Sequence, residues 1–137
     1  MNAKAFLEQI EKLDVMIDNT KLEAQFWRDI ANNTSANMSG ERVQSSGSHD
    51  STEKSICTYL DLEAENEKRI RKLAAVRQDI ISVIEQLKPV EYDLLYMVYV
   101  KRKTLMDVAI KYDRSYSWAT TMHAMARRGV QIILDER

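Results

Sequence analysis

From Phe6 to Trp27 the chain repeats one spacing: Phe6, Ile10, Leu13, Ile17, Thr20, Ala24 and Trp27 follow one another at alternating steps of four and three. That is the a/d seam of a heptad pattern, and it commits residues 2 to about 31 to one long amphipathic helix. Leu7, Val15, Met16, Leu22 and Phe26 lie off the seam, so the apolar face is wider than a two-stranded coil requires and more than one partner surface is expected. The remainder of the chain agrees, because three glycines and one proline in 137 residues leave few positions that break a helix. The expected fold class is all-α.

The pattern lapses over residues 31–51, "ANNTSANMSGERVQSSGSHDS", which hold almost no large apolar side chains. Such a stretch buries too little surface to offset its conformational entropy and reads as a long connection. Asp50 and Glu53 have the form of a capping box, so a second helix is expected from about residue 52 to 87. One of its stripes is Ile56, Leu60, Ile70, Ala74, Ile81 and Ile84; its neighbour is Tyr59, Leu62, Leu73, Val76, Ile80, Val83 and Leu87. The connection is long enough for the two helices to pair as an antiparallel, coiled-coil-like hairpin, within one chain or in a homodimer.

Pro89 marks the next boundary, since proline suits the first turn of a helix and not its interior. A third helix over about 90–102 puts Tyr92, Leu95, Tyr96 and Tyr99 on one face, beside Leu94 and Val98. Thr104 then caps a short helix carrying Leu105, Val108, Ala109 and Tyr112, and after the corner "DRS" a last helix turns Ala119, Met122, Ala126, Val130 and Ile133 inward and ends near Leu134. The cap of that helix is Asp113 or Ser115. The organisation expected is 1–30, 31–51, 52–87 and 88–137.

Charge separates these parts. Residues 1–87 carry 11 Lys/Arg against 15 Asp/Glu, whereas residues 88–137 carry 9 against 6, so the net charges are -4 and +3. Phosphate would approach the C-terminal part. The single Cys57 makes no internal disulfide and reads as a small apolar filler, and the spacing of Cys and His fits no metal site. His123 reads as a surface or packing residue. No carboxylate pair, nucleophile with a base or glycine-rich phosphate loop points to an enzyme, and no cofactor or small-molecule substrate is implied. With no basic leader before an apolar run and no apolar stretch near the roughly 18 residues a bilayer demands, the expected location is the cytoplasm, without membrane association.

Two short helices around a polar corner, with the small Ala109 where they cross, have the form of a helix-turn-helix. In such a unit the outer face at the start of the second helix meets base edges, and that face carries Tyr116, Ser117, Trp118, Thr120 and Thr121. Lys101, Arg102, Lys103, Arg114, Arg127 and Arg128 surround it and suit backbone phosphates.

"TLMDVAIKYDRSYSWATTMHAMARR", Thr104 to Arg128, resembles the region-four helix-turn-helix of sigma factors, with Thr104, Val108, Ala109, Ser115, Ala126 and Arg127 at the recurring places. Over its whole length the chain looks like the small sigma-like late-gene regulators of Gram-positive phages and prophages, the ArpU/RinA type. "ERVQSSG" at Glu41 to Gly47 and "LDLE" at Leu60 to Glu63 carry that resemblance. It implies a non-enzymatic transcription regulator of packaging, morphogenesis or lysis genes that binds double-stranded DNA, with an N-terminal hairpin that dimerises or engages RNA polymerase. Two departures stand out: Asp113 replaces the usual corner glycine, and Gly129 falls inside the last helix. A small-terminase-like packaging protein, or a phage protein that uses the scaffold to inhibit a host protein, would share the same outline.

Overall fold

A computed structural model describes residues 1–40 and 46–137, excepting the side chains of 34–40 and 46–50. The described residues are all-helical, with no strand among them. Six α-helices occur in order: α1 (Ala3–Leu7), α2 (Gln9–Gly40), α3 (Ser46–Ile84), α4 (Pro89–Leu95), α5 (Leu105–Lys111) and α6 (Tyr116–Asp135). Asn2 starts α1 by accepting the Ala5 amide at 2.7 Å, and a one-residue break at Glu8 separates α1 from α2.

Helices α2 and α3 are longer than the residue pattern suggests. Residues 31–40 and 46–51, expected outside helices, are helical, and the proposed cap at Asp50 lies within α3. The reason is cooperativity: Asn, Ser and Thr each cost only a few tenths of a kcal/mol in a helix, and extending an existing helix needs no new nucleus. Residues 41–45, most of the "ERVQSSG" motif, lie outside the described residues.

The chain forms two compact units. The first joins Met1–Leu13 to Lys72–Arg137, so the opening residues pack with the C-terminal part and not only along the long helix they begin. Its core is built from Phe6, Leu7 and Ile10, from Ile80, Val83 and Ile84, and from Leu94, Leu95, Val108, Ala126 and Val130. The second unit, Asp14–Arg71, pairs the middle of α2 with the first part of α3. Asn66 donates to the Ile17 carbonyl at 3.2 Å, Arg69 donates to Thr20 at 2.7 Å, and Arg28 pairs with Glu63. The two helices run antiparallel: Thr20 meets Arg69, whereas Arg28, two turns farther along α2, meets Tyr59 and Glu63, which come earlier in α3.

The heptad seam of α2 is the buried one. Phe6 of α1 and Ile10, Leu13, Ile17, Ala24 and Ala31 of α2 are buried and Thr20 and Trp27 half-buried, while Val15, Met16, Leu22 and Phe26 are exposed. In α3 the second stripe turns inward; of the first, Ile56, Leu60, Ile70 and Ala74 are exposed, and Ser55 and Asn66 are buried in their stead. Cys57 is exposed, so it fills no core. In both helices the apolar residues outnumber the positions that one partner helix covers.

The third helix divides. α4 begins with Pro89 in its first turn, and Tyr96–Val100 continue it as a π-helix, with the Lys101 amide reaching the Tyr96 carbonyl at 2.9 Å. Met97 and Val100 are buried, and Tyr92, Tyr96 and Tyr99 only half-buried, a change from the expected tyrosine face; from Tyr96 onward the wider π turn shifts the residues about the helix axis. Arg102 ends the segment with a φ of 58°, a left-handed conformation usually left to glycine. At Gly129 a Cβ would lie 2.7 Å from Leu87 Cδ2, so a larger residue there would push aside the tip of the Leu87 side chain.

Candidate nucleic-acid interface

Thr104 and Asp107 close a capping box at the start of α5, each side chain bonding the other's amide at 3.0 and 3.1 Å. The helix ends as a Schellman motif: the Arg114 amide reaches the Ala109 carbonyl at 2.9 Å and the Asp113 amide reaches that of Ile110 at 3.2 Å. Asp113 takes the left-handed position with a φ of 51°, so aspartate does what glycine commonly does at such a corner. Ser115, not Asp113, caps α6, accepting the Trp118 amide at 3.1 Å. Val108, Ala109 and Ala119 are buried, and two facing alanines let α5 and α6 approach closely.

Four of the five residues expected to meet bases lie exposed on the first two turns of α6: Tyr116, Ser117, Thr120 and Thr121. The Thr120 and Thr121 hydroxyls donate to the Tyr116 and Ser117 carbonyls, both at 3.0 Å, which leaves their oxygens free to act as acceptors. Trp118 is placed differently. It is half-buried against Tyr112, ring centres 5.6 Å apart, with the Arg114 guanidinium 5.7 Å above its ring. Packing holds Trp118, and Trp118 holds Arg114.

The cations divide into exposed and engaged ones. Lys101, Lys103, Arg114 and Arg128 are exposed. Lys101 lies over the Tyr96 ring at 5.7 Å, and Arg102 pairs with Glu11 at 3.7 Å. Arg127 is half-buried beside Tyr99 and His123, whose side chains meet at 2.7 Å. Burial and then the Arg127 charge push the His123 pKa down, so His123 is a neutral packing residue near pH 7. Periodicity places a residue on a helix face but cannot show that Glu11, more than ninety positions away, meets Arg102.

One polar cluster that the residue pattern did not single out locks α5 to α4. Tyr112 and Lys111 both donate to Asp93 Oδ2, at 2.5 and 2.6 Å. Burial, then the bond to Asp93 and its charge, push the Tyr112 pKa up to about 12. Burial works upward on Asp93 too, but the bonds from Lys111 and Tyr112 and the charges of Lys111 and Lys101 outweigh it and hold the carboxyl below its usual value. The folded Tyr112 pKa exceeds the unfolded value of about 10, so its contribution is complete below pH 10 and disappears as pH rises towards 12. That of Asp93 is present above about pH 4 and disappears as pH falls through its depressed pKa. Asp93→Asn should cost about 1–2 kcal/mol at pH 7 and flatten the loss of stability between about pH 10 and 12 in urea titrations. Parallel curves for wild type and variant in that window would show that Tyr112 does not depend on Asp93.

Among the described residues no group of His, Cys, Asp and Glu could hold a metal ion, and no helix is long and apolar enough to cross a membrane. No protein-family model, curated protein or solved structure matches the chain.

Proposed function

We propose that the chain is a phage-encoded, DNA-binding transcription regulator that acts in the bacterial cytoplasm through α5 and α6 as a sigma-like helix-turn-helix. The observation that carries this reading is the Ser115-capped start of α6, which presents Tyr116, Ser117, Thr120 and Thr121 to solvent behind a tight left-handed corner. Small hydroxyl and methyl groups at that place fit base edges in a major groove. Trp118 supports Arg114, and Arg114, Lys101, Lys103, Arg127 and Arg128 neutralise phosphates. Arg102 joins them only by leaving Glu11.

The reading includes two protein partners. On α5, Met106 and Ile110 are 50% and 71% exposed, an apolar pair suited to a protein surface, host RNA polymerase in this proposal. The second partner is another copy of the chain, docked on the Asp14–Arg71 unit. Leu22 and Phe26 of α2 lie exposed there, on the side of the helix opposite its buried seam, and a second copy would cover them.

The test is retention of fragments of the encoding phage or prophage genome by purified protein at two salt concentrations. Wild type should retain one upstream fragment, more weakly at higher salt, and Arg127→Ala/Arg128→Ala should lower affinity at least tenfold. Equal retention of all fragments, unaffected by the double variant, would overturn the reading in favour of a scaffold that grips a host protein.

A further inference from the structure

Helix α1 and the second half of α6 border an open groove of about 460 Å³. Asn2 and Lys4 line it from α1, and Ala124, Arg127, Arg128 and Gln131 line it from α6. The two helices are tied at this point, because the Ala3 amide donates to Gln131 Oε1 at 2.7 Å while Gln131 Nε2 donates to Asp135 at 2.9 Å. Ala3 and Phe6 are buried, so α1 is an anchored wall.

Three cations border this groove, and no acidic side chain is among its described lining residues. The chain as a whole has the opposite balance, with 21 Asp and Glu against 20 Lys and Arg, so the groove concentrates positive charge. Neither Lys4 nor Arg128 forms an ion pair with a described residue. Like charges brought together from positions more than a hundred residues apart repel one another, and a bound anion removes that repulsion. The groove also has a definite position on α6. At 1.5 Å per residue, Ala124 lies about 10 Å along the axis from Ser117, close to the roughly 12 Å width of a major groove. A helix that sets Ser117 against base edges therefore brings Ala124 to the sugar-phosphate strand at the groove's edge, and the small Ala124 leaves room for it.

We propose that this groove seats the phosphodiester backbone, with Lys4 gripping the strand from α1 while Arg127 and Arg128 grip it from α6. The inference rests on the DNA-binding reading and extends it: the first residues of the chain become part of the DNA-binding surface, at a position no helix-turn-helix pattern reports. The contact carries no base information, so it should act equally on all sequences.

The experiment compares the full chain with Lys4→Ala, Arg128→Ala and, as a charge-matched control in the other unit, Lys68→Ala, each on the retained fragment and on an unrelated duplex across a salt series. Lys4→Ala should weaken binding to both duplexes by a similar factor of about 3–10 and reduce the slope of log affinity against log salt by about 0.9, while Lys68→Ala leaves both unchanged. Lys4 is exposed, and an unaltered melting temperature verifies that the variant folds. Wild-type affinity and slope in Lys4→Ala, with binding weakened in Arg128→Ala, overturn the groove and leave the DNA reading standing. No retention of any duplex by the wild type overturns the DNA reading and the groove with it.

Discussion

Leu94→Ala should lower the stability of the unit formed by residues 1–13 and 72–137 by about 2–5 kcal/mol. Leu94 is fully buried on α4, in the cluster that also holds Leu95, Val108 and Val130. Removing its three outer carbons loses their transfer free energy and leaves a void that helices held by the Asp93 cluster and two tight caps cannot readily collapse. For a unit of this size each kcal/mol is worth about 4–8 °C in melting temperature. Urea unfolding followed by the fluorescence of Trp118, which belongs to this unit, measures the loss. Met106→Ala, at a half-exposed position of α5, should remain within about 0.5 kcal/mol of wild type. Equal costs at the two positions would mean that α4 is not the centre of the core.

Leu22→Glu/Phe26→Glu should convert a dimer to a monomer and reduce the helical circular-dichroism signal. Among the described residues of the Asp14–Arg71 unit only Ile17, Ala24, Ala31, Ser55 and Asn66 are buried, one large apolar side chain among small and polar ones. Long helices draw most of their stability from packing, and these five side chains supply little. Leu22 and Phe26, by contrast, are 71% and 54% exposed. With Val15 they form a line at spacings of seven and four, on the side of α2 opposite the Ile17–Ala24–Ala31 seam. A second copy covering that line would bury two large side chains per chain, each worth about 1.5–3 kcal/mol, and a buried glutamate would reverse the gain. Sedimentation equilibrium at tens of micromolar distinguishes the outcomes. A monomeric wild type, or a variant that keeps the dimer mass, would remove the homodimer from the proposal.

Much of this architecture was legible along the chain. The α2 seam, Pro89 at a helix start, the Thr104 cap, the left-handed corner at Asp113 and the inward alanines of α6 all come from residue type and spacing, because each is decided within one or two helical turns. The ends of α2 and α3 were not, because a helix once formed runs on through indifferent residues. The burial of α3 was half legible, since two apolar stripes competed and only the neighbouring helix chose between them. Cys57 illustrates the choice: its residue type favours burial, and the surface of α3 that the pairing leaves open carries it into solvent.

The sequence by itself determined that this chain is helical, that Thr104 caps a short helix with a corner after it, and which faces of α2 and α6 are apolar, for these depend on contacts between residues three and four apart. Tertiary structure alone decided that the first thirteen residues join the C-terminal unit, that Trp118 supports Arg114 from a packed position, and that Arg102 meets Glu11 while Lys4 faces Arg128 across a groove. Periodicity ranks the faces of one helix. Which face meets which depends on how volumes and charges distant along the chain fit together, and no local spacing encodes that fit.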